Sequence, residues 1–264
     1  GTEITSFALA SDASRIFAVG LSNGKVLAMK HSYKSTYPDG KRVITPFLEF
    51  PFGEEPLAVA NSPVTELALN GDEEAWRIIA STEQGLALAN LSFDENFITG
   101  EVETTVDTEA LPKLRVPVSK LLLMPDRRWL LIAGNDSKLA VMDLAADGSE
   151  TTQILDASTG NITGFSLLLG GNSLMVADDN GGISQWFLIR DDKNIWRLKK
   201  IRSFESGTTA INGMSMEHRR KGFATLDDRG VVSIFNATSS RQVIDERISD
   251  GSATMISFAP RANG

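Results

Sequence analysis

One pattern returns five times along this chain: an apolar run, a polar turn, a second apolar run ending in a small residue, a Gly-centred turn, and a third run alternating apolar and polar residues. The turns with their third runs occupy residues 22–29, 83–89, 136–143, 180–187 and 228–235. Units open at Ile4, Val64, Val118, Ile162 and Ile211, and a sixth opens at Met255, so the pattern recurs every 44 to 60 residues. A four-stranded propeller blade needs about 40 to 50 residues, and the two longer first spacings leave room for extra loop. Each run is short, rich in Val, Ile, Leu and Phe, and bounded by Gly, Asn, Asp or Ser, as hairpin-linked strands are.

The repeat therefore predicts an all-β, WD40-like β-propeller of antiparallel four-stranded blades. The blades fall near 4–52, 64–108, 118–156, 162–204 and 211–248, with part of a sixth at 253–264. A β-sandwich need not repeat itself, and no segment keeps a helical apolar period for more than two turns. Blades cannot bury their faces alone, so residues 1–264 read as a single domain. The 22 glycines supply the positive-φ turns such a meander requires. The longest polar gap, 32–42, lies inside the first blade and holds the turn signature Tyr37-Pro38-Asp39-Gly40.

Net charge is −8 and the pI is near 4.9, which argues against nucleic acid, whose ligands carry a basic surface. There are no cysteines, hence no disulfide framework, thiolate nucleophile or Cys-based metal site. His31 and His218 fall in different units, which disfavours a His-rich metal site or a histidine-based triad. No cofactor is implied. The longest apolar runs, such as 121–124 and 129–133, are far shorter than the roughly 20 residues a spanning helix needs. The start at Gly1 and the stop just after Met255 read as a soluble piece of a longer chain, belonging to a larger ring such as one of seven blades. Blades left open would offer apolar faces and strand edges for self-association.

Asp178-Asp179 and Asp227-Asp228 occupy equivalent second-to-third-strand turns, and Asn135-Asp136 joins them from the third unit. A cation held by carboxylate and carbonyl oxygens is one reading; the other is turn chemistry, for which Asp and Asn are selected anyway. Gly170-Gly171-Asn172 and Asn180-Gly181-Gly182 lack the following helix with Lys and Ser or Thr that a phosphate cradle needs, so they read as hairpin turns. Trp129, Trp186, Trp196, Phe165, Phe223 and Phe235 fall on or beside strands and read as blade core.

Blade topology places first-to-second-strand turns and third-to-fourth-strand loops on one rim. That rim collects Lys30, Lys34, Lys41, Arg42, Arg127, Arg128, Arg219, Arg220 and Lys221, with Asp72, Glu73 and Glu74 interrupting it. Asp136, Asp178, Asp179, Asp227, Asp228, Glu54 and Glu55 fall on the other. The basic rim, at Lys34, Lys41, Arg42, Arg127, Arg128, Arg219, Arg220 and Lys221, is the candidate binding surface for an anionic partner.

Several stretches resemble the large extracytoplasmic insertion of proteobacterial phosphate ABC transporter permeases: 20–24 (GLSNG), 33–46 (YKSTYPDGKRVITP), 183–191 (ISQWFLIRD), 219–223 (RRKGF) and 260–264 (PRANG). The resemblance runs in order from about Ile4 to Gly264. It implies a WD40-like domain on the periplasmic side of the bacterial inner membrane, within a membrane-embedded importer for inorganic phosphate. It also implies a non-catalytic docking or assembly role, with the phosphate-binding protein and other permease subunits as partners. No functional residue comes with it. The chain departs from ordinary WD40 repeats: only Met142-Asp143 keeps the acidic end of the Trp-Asp dipeptide, and Trp186-Phe187 keeps only the Trp. A stand-alone WD40-type scaffold, and behind it a propeller lectin or hydrolase, are the alternative functions.

Overall fold

The expected strands follow from short apolar runs whose alternate residues find cover on one face, and the computed structural model contains them. It describes residues 1–10, 15–96, 98–145, 150–204, 207 and 209–259. The chain divides into two compact units: residues 1–115 with 121–130 and 143–150, and residues 116–120 with 131–142 and 151–264.

In the first unit, β1 (Ile4–Leu9), β2 (Ile16–Leu21), β3 (Lys25–Thr36) and β4 (Val43–Glu49) pair in sequence order, and β5 (Leu57–Ala58) adds to β3. The next sheet is β6 (Glu66–Gly71), β7 (Ala75–Thr82), β8 (Gly85–Glu95) and β9 (Val102–Ala110). A third meander follows in β10 (Val118–Leu123), β11 (Trp129–Gly134), β12 (Lys138–Asp143) and β13 (Glu150–Asp156), its residues falling partly in each unit. The second unit adds β14 (Ile162–Leu167), β15 (Ser173–Asp178), β16 (Ile183–Arg190) and β17 (Trp196–Phe204), then β18 (Ile211–Met216), β19 (Gly222–Asp227), β20 (Val231–Asn236) and β21 (Arg241–Arg247). These are the five blades read from the repeat. Among the described residues, no helix is long and apolar enough to cross a membrane.

The polar gap at 32–42 is mostly strand. β3 continues through Thr36 and pairs with β4 from Lys30↔Glu49 to Thr36↔Val43, leaving only a 3-10 turn at Pro38–Gly40. Cross-strand pairs such as Tyr33↔Pro46 and Ser35↔Ile44 sustain this exposed arm, and Pro46 is tolerated because β4 is the outermost strand of its sheet. Residues 253–259 carry no strand, but they lie against β18, with the Phe258 amide donating to Ser215 Oγ at 3.0 Å. Residues 260–264, expected both in a sixth blade and in the resemblance, lie outside the described residues.

Successive sheets pack small faces against large ones. Ala8, Ala18 and Ala28 of the first sheet lie buried against Leu67, Leu69, Trp76 and Ile78 of the second. Alanine lets the sheets approach, and the larger partners fill the space to interior density. Phe52 closes the edge, with ring centroids 5.1 Å from Trp76 and 4.5 Å from Phe93. In the second unit Met175 and Ala177 of β15 meet Ile211, Met216, Phe223 and Phe235, with Phe204 set edge-on to Phe223 at 4.9 Å. Trp129, Trp186, Phe223 and Phe235 are buried, as the core reading expects; Phe165 and Trp196 are half-buried.

In three blades the chain beyond the fourth strand is also tied to the central hairpin. The turn residue Gly24, at φ +79°, offers its carbonyl to the amides of Val59 and Ala60 at 3.2 and 3.0 Å. Gly230, at φ +78°, does the same for Ile248 and Ser249 at 2.9 and 3.3 Å. In the third sheet Ser137 takes this role at φ +63° and accepts from Ala157 at 3.0 Å. A Cβ at Gly230 would meet the Ser249 carbonyl oxygen at 2.6 Å, so Gly230→Ala adds a backbone clash to the left-handed penalty and should cost about 3 kcal/mol. Ser137→Gly relieves that penalty while loosening the unfolded chain, and should stay within about 1 kcal/mol of wild type. Urea denaturation of both variants checks this: equal losses would show that the turn's backbone conformation is not what matters.

Candidate functional site

The eight predicted cations do not share one environment. Among those in the first unit, Lys34 lies on β3 opposite Thr45, not in a loop, and Lys41 and Arg42 follow the 3-10 turn, exposed, with Arg42 Nη2 reaching Ser35 Oγ at 3.4 Å. Arg127 and Arg128, in the β10–β11 turn, are engaged within the protein. Arg127 Nη2 pairs with Asp72 Oδ2 at 2.9 Å, its Nη1 donates to the Ala75 carbonyl at 2.6 Å, and its own carbonyl accepts from Arg77 Nη1 at 2.6 Å. Asp72, one of the acids that interrupts the rim in sequence, is thus the partner of one of its cations. Burial pushes the Asp72 carboxyl up, but the amides of Ala75 and Glu74 and the Arg127 guanidinium outweigh it and hold it below the ordinary carboxylate range.

Arg128 grips Asp143 through two hydrogen bonds, Nε to Oδ1 at 2.9 Å and Nη2 to Oδ2 at 2.6 Å, and its guanidinium lies 4.8 Å from the Trp129 ring centroid. This forked pair is what holds Asp143 at the end of β12. The hydrogen bond from Arg128 is the main reason that the Asp143 carboxyl sits below its usual value. The same bond raises the guanidinium. In the second unit, Arg219, Arg220 and Lys221 are consecutive and exposed in the β18–β19 turn, where Arg220 Nε lies only within 3.9 Å of Glu217.

The aspartate turns resolve toward turn chemistry. Asp178 Oδ1 accepts from the amides of Asn180 at 3.0 Å and Gly182 at 2.7 Å. Asp227 Oδ1 accepts from those of Arg229 at 3.0 Å and Val231 at 2.8 Å. Asp179 binds the amide and side chain of Asn161, and Asp136 pairs with Lys138 at 3.0 Å. Among the described residues no three His, Cys, Asp or Glu side chains gather as a metal site would require.

A different constellation was missed. The residue after each unit's opening Ile or Val is polar: Thr5, Thr65, Ser119, Thr163 and Asn212. In the first three blades this hydroxyl donates to a carbonyl of the neighbouring strand, Thr5 to Gly20, Thr65 to Ser81 and Ser119 to Ala133, each at 3.1 Å. Thr163 breaks the series: its hydroxyl is buried with no partner, a state costing about 1 to 3 kcal/mol. The strands bulge here, between Ile162 and Gly164 and between Ile211 and Gly213, as the first strand does between Ile4 and Ser6, but in these two blades glycine follows the bulged residue. Thr163 and Asn212 line a cavity of about 320 Å³ in the second unit, together with Lys120, Ser166, Met214 and Thr254. The polar residue after each opening Ile or Val was visible in the sequence; its failure to find a partner in one blade was not.

No protein-family model matches the chain, and no curated protein matches it. Solved structures do. The β-propeller domain of Cps50 (Swd1) from Myceliophteria thermophila is similar with a TM-score of 0.65 at 16% identity, over 98% of this chain and 77% of that one. The fold is a WD40-like β-propeller. A chain of the mitotic checkpoint complex is similar with a TM-score of 0.59 at 13% identity, over 98% of this chain and 69% of its own. At such identities the likeness is one of fold.

The Arg128–Asp143 pair yields a pH prediction. Because the folded carboxyl lies below its unfolded value near 3.9, the pair stabilises the fold above about pH 4 and is lost as pH falls through the folded value. Arg128→Ala should lower stability at pH 7 by about 1 kcal/mol, allowing for the half-exposed guanidinium. It should also flatten the acid limb, so that wild type and variant draw together in chemical denaturation as pH falls below the unfolded carboxyl's value and through the folded one. Curves that stay parallel over that range would remove Asp143 from the account.

Proposed function

We propose that this propeller is a non-catalytic interaction platform, with the exposed triplet Arg219, Arg220 and Lys221 as its principal contact for an anionic protein surface. The observation that carries the reading is a contrast in exposure, half-buried at Arg127 and Arg128 and exposed at Arg219, Arg220 and Lys221. Arg127 and Arg128 are engaged by Asp72 and Asp143, whereas the β18–β19 turn presents three consecutive cations to solvent. Lys34, Lys41 and Arg42 are a further exposed group of cations, on the first unit. In an acidic chain such local patches steer and orient a partner more than they add affinity.

In its more specific form, the platform is the periplasmic accessory domain of a permease in an ATP-binding-cassette importer for inorganic phosphate, docking the phosphate-binding protein or another permease subunit. Support comes from the ordered resemblance of residues 20–24, 33–46, 183–191 and 219–223, the last of which includes the basic triplet. A stand-alone scaffold is the second reading. The fold neighbours favour it, since one is a propeller domain of Cps50 and the other belongs to the mitotic checkpoint complex.

Calorimetric titration with the phosphate-binding protein encoded beside this chain tests the specific form. Saturable binding is expected, weakening with added salt and falling about tenfold or more when Arg219, Arg220 and Lys221 are all replaced by Glu. Binding that ignores both changes would remove the basic turn from the interface. No binding of the loaded or unloaded protein would favour the scaffold reading.

A further inference from the structure

We propose that the cavity between the first strands of the second unit is a binding site for a small organic oxyanion, a carboxylate or phosphate ester. It is independent of the docking surface above. Lys120 on β10, Thr163 and Ser166 on β14, Asn212 on β18 and Thr254 line one space of about 320 Å³, at the small end of the range for ligand sites. Three features set the chemistry. Among the described residues no Asp or Glu lines the cavity although the chain as a whole is acidic, so Lys120 is the charged group of that lining. The ammonium of half-buried Lys120 has no hydrogen-bond or ion-pair partner among the described residues, and the Thr163 hydroxyl is buried without one. An oxyanion satisfies both at once, since it accepts from an ammonium and from hydroxyl and carboxamide donors.

Comparison with the other blades makes the Thr163 observation specific. Its counterparts Thr5, Thr65 and Ser119 hold a neighbouring strand's carbonyl, so an unengaged hydroxyl is not a general property of this position. Thr5 sits in the same kind of bulge and keeps its bond, but at Thr163 and Asn212 the next residue is glycine. A Cβ at Gly164 would lie 2.9 Å from Met214 Cε, and one at Gly213 would lie 3.3 Å from Ile256 Cγ2. The glycines thus bring β14, β18 and residues 254–256 close enough to share one space. Its volume exceeds that of a bare inorganic anion, and Phe165, Met214 and Ile256 give it an apolar flank. The ligand accordingly carries a short organic body behind its charged end.

Titration of the full chain with glycerol 3-phosphate, succinate and inorganic phosphate, followed by calorimetry and amide NMR, tests this, with glycerol and xylitol as neutral controls. One-to-one binding of an organic anion with a dissociation constant of about 1 mM or below is expected. Lys120→Gln should weaken it about tenfold. Thr163→Val should weaken it severalfold without lowering the melting temperature, because it removes a hydroxyl that the free protein leaves unpaired. Thr65→Val, which breaks an existing bond, should lower the melting temperature instead. Failure of every anion to saturate below about 10 mM, unchanged affinity in Lys120→Gln, or equal competition by xylitol would each overturn the site. Inorganic phosphate binding no more weakly than glycerol 3-phosphate would overturn the organic body.

Discussion

Everything in these blades depends on a backbone carbonyl that points out of a tight turn. In a four-stranded meander the chain leaving the fourth strand must return past the central hairpin before it can start the next sheet. Here it is caught there: the amides of Val59 and Ala60 on Gly24, of Ala157 on Ser137, and of Ile248 and Ser249 on Gly230. A right-handed residue at those turn positions would aim the carbonyl elsewhere, which is why the position takes glycine or a residue held at positive φ. The second sheet shows the same need met differently. Its hairpin is shorter, with Thr82↔Gly85 closing a two-residue turn, and the catching carbonyl is that of Leu86, which accepts from Leu111 at 2.9 Å.

The aspartates belong to this device. Asp178 and Asp227 sit at the end of the second strand and bind amides two and four residues on, fixing the turn whose glycine carries the catching carbonyl in the last blade. Both are nearly buried, and a buried carboxylate is tolerable only because backbone donors surround it. In the last blade each layer supports the next: the carboxylate shapes the turn, the turn presents the carbonyl, and the carbonyl catches the chain as it leaves the fourth strand at Ile248 and Ser249. The sheet faces then need only fit, with Ala8 and Ala18 against Leu67 and Leu69 in one unit and Ala177 against Ile211 in the other.

The repeat was readable because the device has a sequence signature: an apolar run, a polar turn and a glycine at a fixed place. All five blades therefore lie where the pattern put them. What escaped reading were features set by partners distant in sequence. The β3–β4 arm looked like a polar gap because its residues are exposed on both faces, and exposure erases the alternation that marks a half-buried strand. Arg127 and Arg128 were grouped by position with the exposed cations of the rim. Sequence places them in the right turn, but Asp72 lies 55 positions from Arg127 and only the fold brings the pair to 2.9 Å. Charge along a chain reports which side chains are ionic, and only geometry reports which are already neutralised.

The same distinction separates the two kinds of polar residue that follow each unit's opening Ile or Val. Thr5, Thr65 and Ser119 close their hydrogen bonds locally and so add stability without offering anything to a ligand. Thr163 is left open while Lys120 and Asn212 line the same space. A repeat protein starts with every unit doing the same structural work, so a position that departs from the common bond is where the selective demand on the fold was relaxed. In this chain the departure coincides with a cavity, a cation and a lack of acidic neighbours. A packing defect alone would leave an unpaired hydroxyl, but it would not also place a lysine on the same space with no carboxylate among the described residues that line it.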